Sequence, residues 1–352
     1  MPKILGLKGI VPVFLFFLSF FGGFLLFFSE EKTFLKPEKI LMHTPEQALT
    51  NKNPQFPLES LSKLVKIAGK PDTASFIIPL NRIGRLYMME ATIDGEAGNL
   101  IFDSGATTLV LNRTYFRDHL NVGEQTSAGI TGSVTQADKV TVDNLAVGNM
   151  KFKKLSANLT DLGHIENRRG VKVLGLFGFE LIKTHQITID LVNNKLILHP
   201  IDRKGNLLDT TKLCNADFTQ NIEVAHNILF VKGKIGGKLL RFCFDTGAET
   251  NALSTDLDKN ILKTISITRT LKLRGAGSSS NEVIYGVMNN FTYGDSALNN
   301  MQTIITYMDH LNEAYGVHID GVLGFDFLSK GTFCINFAKR QMGISFITQG
   351  RQ

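Results

Sequence analysis

The sequence predicts an all-β protein built as two duplicated modules and preceded by one N-terminal transmembrane helix. Three observations carry that expectation. The string Phe102-Asp103-Ser104-Gly105-Ala106-Thr107-Thr108 returns as Phe244-Asp245-Thr246-Gly247-Ala248-Glu249-Thr250. Short apolar runs with alternating character and Gly turns dominate from residue 75 onward, as in Lys139-Val140-Thr141-Val142-Asp143-Asn144-Leu145 and Thr188-Ile189-Asp190-Leu191. The segment Gly9 to Phe28 holds no charged residue and is long enough to cross a ~30 Å hydrocarbon core as a helix.

Along the chain, residues 1–8 carry Lys3 and Lys8, and Glu30 and Glu31 follow the apolar segment at once. Positive charge before the span and negative charge after it predict a cytoplasmic N-terminus with the body outside the cytoplasm, periplasmic or extracellular. An uncleaved anchor at 9–28 is expected over a cleaved signal. The apolar run is longer than a signal's ~7–15 residues and passes into Ser29-Glu30-Glu31-Lys32 without an Ala-x-Ala pattern. Residues 29–74 contain Pro37, Pro45, Pro54, Pro57 and Pro71 among mostly polar neighbours and read as a stalk. Residues 75–200 form the first module, the polar stretch 201–220 a connector, and residues 221–348 the second module. Short helices are expected at Asn112 to Leu120, Phe179 to Lys183, Thr255 to Leu262 and Tyr307 to Tyr315.

Duplication extends beyond the Asp string. Gly175-Leu176-Phe177-Gly178-Phe179-Glu180-Leu181-Ile182 aligns without a gap on Gly321-Val322-Leu323-Gly324-Phe325-Asp326-Phe327-Leu328. Upstream, Tyr87 to Gly95 matches Leu229 to Gly237, each a strand running into a Gly turn before the strand that delivers the Asp. Between the Asp string and the later Gly, each half has a Gly-rich hairpin candidate, Gly129 to Gly132 and Gly275 to Gly277. Four features in the same order twice are not chance.

An Asp in a single Gly turn is ordinarily turn chemistry. Two of them in duplicated modules, related by a pseudo-twofold axis, bring Asp103 and Asp245 within reach of one another. Like charges that close cannot both ionise, so the pair shares a proton. One carboxylate then takes a proton from water while the other gives one to a carbonyl oxygen, which is hydrolysis without metal or cofactor. The remaining composition excludes other classes. Eight dispersed His residues show no His-x3-His or Cys-x2-Cys spacing, and no Gly-x-Ser-x-Gly elbow or Walker loop occurs. The net charge of +6 lies along the chain without a basic stripe, so no nucleic-acid partner is expected. Three cysteines are too few for a disulfide scaffold, and Cys243 and Cys334 are expected as buried thiols.

These motifs resemble the aspartic proteases of the pepsin and retropepsin clan, in a single-chain form whose halves are most similar to bacterial retropepsin-like modules. The resemblance covers residues 75–200 and 221–348. It implies two acid-protease β-barrel-like lobes with the active-site cleft between them, and a peptide or protein substrate. Catalysis falls to Asp103 and Asp245. Ser104 and Thr246 bond across the axis, and Gly105 and Gly247 let backbone approach the carboxylates. Ala106 and Ala248 follow where pepsin-type enzymes carry a hydroxyl. Gly178 and Gly324 make room beside the dyad, and Gly129, Gly132, Gly275 and Gly277 belong to flaps, neither tip having the pepsin-type Tyr. The expected protein is a membrane-anchored aspartic endopeptidase, a monomer with an intramolecular dyad. The rivals are an inactive protease-fold binding or scaffold protein and a homodimer pairing each module with another chain.

Overall fold

The computed structural model describes residues 14–16, 74–119, 121–129, 134–274 and 280–347. Three β-sheets account for most of them. One belongs to the first half, one to the second, and a six-stranded sheet is shared between the halves.

The strands that build the site are the same in each half. In the first they are β1 (Leu86–Ile93), β2 (Glu96–Phe102), β3 (Leu109–Asn112) and β4 (Val173–Phe177). In the second they are β5 (Ile228–Ile235), β6 (Lys238–Phe244), β7 (Asn251–Ser254) and β8 (Gly321–Leu323). β1 and β5 share one burial pattern, four buried residues followed by strict alternation. Each is joined to the next strand by a two-residue loop with both residues at positive φ, Asp94 (47°) and Gly95 (92°) in one case, Gly236 (57°) and Gly237 (81°) in the other. Such loops match the twist of a hairpin and need residues that tolerate the left-handed region, which Asp and Gly do.

Within each lobe a parallel pair and an antiparallel pair meet at one strand. β4 lies parallel to β2, with Phe177 opposite Phe102, and antiparallel to β3, with Leu176 opposite Val110. β8 repeats this, with Leu323 opposite Phe244 on β6 and Val322 opposite Ala252 on β7. Phe102 and Phe244 are fully buried and pack edge-on against Phe179 and Phe327, each the first or third residue after the later Gly. Burying one such ring contributes roughly 1.5–3 kcal/mol, so the residue before each Asp is clamped by the core.

The shared sheet joins the lobes. Strand His185–Asp190 of the first half pairs antiparallel with Gly331–Asn336 of the second, placing Ile187 opposite Ile335. Phe76–Pro79 and Lys195–Pro200 extend it on one side, Gln341–Phe346 and Phe218–Asn221 on the other. The main core runs continuously from both lobes through this sheet.

The cysteines depart from expectation. Cys214 in the connector is bonded to Cys334, while Cys243 is a buried thiol outside the bridge. The reason lies in the connector's path. Ser345 Oγ donates to the Asn215 carbonyl and Asp217 N–H to that of Ile344, which lays residues 214–217 along the shared sheet beside Cys334.

Helices are shorter than expected, Arg113–Phe116, a 3-10 turn at Phe179–Leu181, Lys259–Leu262 and Asp309–Tyr315. A further one, α1 (Gly163–Arg169), precedes β4, just as α2 (Asp309–Tyr315) precedes β8, and Gly170 and Gly316 cap them at φ 66° and 62°. Of the apolar N-terminal segment only Phe14–Phe16 are described, as a strand parallel to Ser127–Gly129 where a helix was expected. The rest of that segment and the stalk through residue 73 lie outside the described residues. Among the described residues no helix is long and apolar enough to cross a membrane.

Candidate active site

Both Asp turns leave the ends of their strands at the same point. Asp103 N–H donates to the Phe177 carbonyl at 3.0 Å and Asp245 N–H to that of Leu323 at 3.0 Å, so each Asp is held at the junction of the parallel pair. Gly105 and Ala106 N–H then donate to Asp103 Oδ1 at 2.8 and 3.1 Å, and Gly247 N–H to Asp245 Oδ1 at 2.8 Å.

The turns are locked to one another through the hydroxyls. Ser104 Oγ accepts from Thr246 N–H and donates to the Phe244 carbonyl, both at 2.9 Å. Thr246 Oγ1 accepts from Ser104 N–H and donates to the Phe102 carbonyl, also both at 2.9 Å. All four bonds are buried and cross between the lobes. Each hydroxyl uses its donor and an acceptor, and a side chain without oxygen would leave two backbone groups unpaired.

This lock sets each carboxylate against the other turn. A Cβ on Gly105 would sit 2.7 Å from Asp245 Oδ2, and one on Gly247 would sit 2.5 Å from Asp103 Cγ. Only glycine lets the two carboxylates approach this closely. Gly178 and Gly324 serve the same end one layer back. A Cβ on Gly178 would collide with the Ala106 carbonyl, and one on Gly324 would lie 2.6 Å from that of Ala248.

Both carboxylates are fully buried, and their Oδ2 atoms receive no hydrogen bond from the protein. Burial drives Asp103 well above the ordinary carboxylate range, and the charge and hydrogen bond of Asp245 push the same way. Burial likewise raises Asp245 to about 6, opposed chiefly by the hydrogen bond from Gly247 N–H. A buried pair of this kind titrates as one unit and holds a shared proton.

Where flaps were expected, two antiparallel strand pairs form, Asn121–Gly129 with Val134–Val147 and Ser266–Arg274 with Ser280–Met288. Gly129 ends the first strand of its hairpin, whereas Gly132, Gly275 and Gly277 lie outside the described residues. Strand Asn121–Gly129 passes against α2 of the opposite lobe.

A family model described as aspartyl protease matches residues 89–181 and 231–327, one segment in each lobe and more than half of the chain. The chain belongs to the aspartyl protease family. Among solved structures, a retropepsin-like aspartic protease from Rickettsia conorii matches this aspartyl protease with 18% identity and a TM-score of 0.26, over 39% of this chain and 94% of that one. No curated protein matches it.

Sequence reasoning missed a polar cluster built on Glu249, within the second Asp string itself. Glu249 pairs with Arg168 at 2.7 Å and with Arg169, both from α1 of the first lobe. Arg85 donates to the Glu249 carbonyl at 3.0 Å, to Asp326 Oδ2 at 2.6 Å and to Gln302 Oε1 at 3.2 Å. The signal was present in the repeat, since Glu249 against Thr107 is the one change of chemical class between the two strings.

Proposed function

We propose that this aspartyl protease is an active endopeptidase that hydrolyses peptide bonds with a water activated between Asp103 and Asp245. The observation that carries the reading is the pair of fully buried carboxylates, each against the other's turn glycine, with both Oδ2 atoms left without a donor. A water held by those two oxygens loses its proton to the ionised carboxylate as it attacks. The protonated carboxyl donates to the carbonyl oxygen as it gains negative charge. Ser104 and Thr246 keep the pair rigid, so its geometry is set before substrate arrives. An expelled or inactive dyad would not require the two glycines and the buried hydroxyl lock to survive together.

The protein is further proposed to be membrane-anchored by residues 9–28, monomeric, and extracytoplasmic. The uncharged length of that segment and the Lys/Glu asymmetry around it support the anchor. Inside hydrocarbon a backbone must satisfy its own hydrogen bonds, so the inserted state is a helix. The Cys214–Cys334 bridge supports an oxidising compartment. Incubating the full-length protein in detergent with a mixed peptide library tests the activity. Cleavage that disappears in Asp103→Asn and in Asp245→Asn is the expected result, and cleavage that survives either substitution refutes the dyad.

A further inference from the structure

The cleft of a duplicated protein need not read both ends of a peptide alike, and here its two ends differ in charge. Thr107 and Glu249 stand four residues past Asp103 and Asp245, at matched places on the two sides of the dyad that a bound peptide would cross. Three guanidiniums meet Glu249, and a fourth stands beside them. Arg168 and Arg169 hold its carboxylate, Arg85 holds its carbonyl and Asp326, and Arg82 lies 4.7 Å from the Phe325 ring that Arg85 also covers at 5.2 Å. The Arg169 guanidinium lies against Gly84, which ties α1 to the turn bearing Arg82 and Arg85. Three guanidiniums thus hold two carboxylates, Glu249 and Asp326, with Arg82 beside them over Phe325 and the charge of Lys330 also acting on Asp326. Arg168 and Arg169 keep 20% and 16% of their side-chain surface, and Arg85 keeps 31%, so the excess charge is not sealed from a ligand. Burial holds the Arg168 guanidinium below its usual range, Glu249 opposes this, and neighbouring Arg169 adds to it.

The matched end is neutral. Asn227 donates to the Thr107 carbonyl at 3.1 Å and accepts from Lys183 at 3.0 Å, and Lys183 stands 4.0 Å from Glu180. One cation balances one carboxylate. Thr107 Oγ1 is buried without a hydrogen-bond partner. Where α1 has Arg168 and Arg169, α2 carries Ala314 and Tyr315.

We propose that the cluster of Arg82, Arg85, Arg168 and Arg169 about Glu249 is a substrate-reading site that takes an acidic side chain of the bound peptide on one side of the scissile bond only. The excess cations attract a carboxylate that the neutral Thr107 end does not. A substrate therefore binds in one direction, its acidic residue over the Glu249 end. This rests on the endopeptidase reading for its cleavage arm but not for its binding arm.

The experiment walks one Glu, and separately one Lys, through every position of a cleaved peptide capped at both ends, so that no free terminal carboxylate supplies the charge. Full-length protein in detergent is assayed for kcat/KM. Glu should exceed Lys by about fivefold or more at one position on one side. The preference should shrink at ~0.5 M salt and in Arg168→Gln/Arg169→Gln, while Arg169→Lys retains most of it. The same peptides are titrated against Asp103→Asn protein by fluorescence anisotropy. If no peptide is cleaved yet the one-sided preference appears in binding, the endopeptidase reading fails and this one stands. A flat charge profile, or equal preference on both sides, in whichever arm gives signal overturns it, as does absence of preference in the binding arm.

Discussion

The turn of Asp103 and the turn of Asp245 are locked by matching bonds, whereas Thr107 and Glu249, two residues beyond each turn glycine, share only a side-chain donor to their carbonyls. At the centre, four crossing hydrogen bonds of 2.9 Å treat the lobes as interchangeable. At the edges one junction is an arginine-rich ionic cluster and the other an amide bridge through Asn227. The difference follows from what each region must do. A paired-carboxylate centre needs both turns held at one spacing, and the crossing bonds make each turn depend on the other, so a change in either half would disturb both. Two residues away no such reciprocity acts, and a single chain, unlike a homodimer, is free to make its ends unlike.

The strongest way to break the central equivalence is to neutralise one carboxylate. Asp103→Asn and Asp245→Asn should each lower kcat by about a thousandfold or more, and the double variant should be no worse, because groups acting as a unit are non-additive. A large loss from one variant beside a small loss from the other would show that the lobes are not equivalent at the dyad. Steady-state kinetics on one reporter peptide suffices.

Next in size is the hydroxyl lock. Ser104→Ala orphans the Thr246 N–H and the Phe244 carbonyl; Thr246→Ala orphans the Ser104 N–H and the Phe102 carbonyl. Each should cost about 1–3 kcal/mol in urea unfolding, the range for buried groups left unpaired. Equal costs sharpen the comparison; a clear inequality would place the weight of the junction on one lobe.

The edges should respond unequally. Glu249→Gln leaves Arg168 and Arg169 without their carboxylate and should cost about 1–2 kcal/mol at low ionic strength, shrinking as salt is added. Asn227→Ala should cost about 1 kcal/mol with little salt dependence. Identical salt profiles would remove the electrostatic distinction between the two edges.

These features were not equally legible beforehand. Asp103, Asp245 and their Ser/Thr-Gly neighbours could be read from the chain because a turn motif is local and the duplication supplied its own control. Gly178 and Gly324 were legible for the same reason, and the structure gives each a carbonyl to make room for. The Arg85 cluster was not, because Arg85, Arg168 and Arg169 belong to no motif and meet Glu249 only once the lobes are docked. The bridge from Cys214 to Cys334 spans 120 residues, and only the connector's course along the shared sheet brings the two together. The shared sheet was equally hidden, since the pairing of His185–Asp190 with Gly331–Asn336 depends on how two modules meet. Helix α1 was missed because Gly163 opens it and two Arg close it, with Ile165 its one buried residue.

Protonation tests the centre through stability. Folding raises the pKa of both dyad carboxyls, so the native state binds protons more tightly than the unfolded chain. The dyad's stabilising contribution is complete below the ordinary carboxylate value of 3.8 and is lost as pH rises through about 6 and beyond. Asp103→Asn and Asp245→Asn should therefore raise Tm relative to the unmodified protein at pH 8 and cease to do so near pH 3.5. A variant that gains nothing at pH 8 would mean that the carboxylate it replaces is not held under this burden.

The smallest effect expected is a shift of the pH–rate profile by a fraction of a unit. Activity needs one proton on the pair. Burial raises both carboxyls, Asp245 to about 6, so the pair keeps its shared proton to higher pH than ordinary carboxylates would. The optimum is then mildly acidic to near neutral. Ala106 and Ala248 contribute to this, because neither side chain can donate to the carboxylate of its own turn. A hydroxyl there would donate to the ionised form, favour it, and lower the apparent pKa values. Both alanines are buried in small apolar clusters, Ala106 with Val110 and Leu176, Ala248 with Ala252 and Val322, so Ser fits better than the bulkier Thr. Ala106→Ser and Ala248→Ser should each move both limbs toward acid, by similar amounts if the lobes are equivalent. An optimum at strongly acidic pH in the unmodified protein, or a profile unmoved by active Ser variants, would show that the carboxylates are governed by something other than burial and the donors of their own turns.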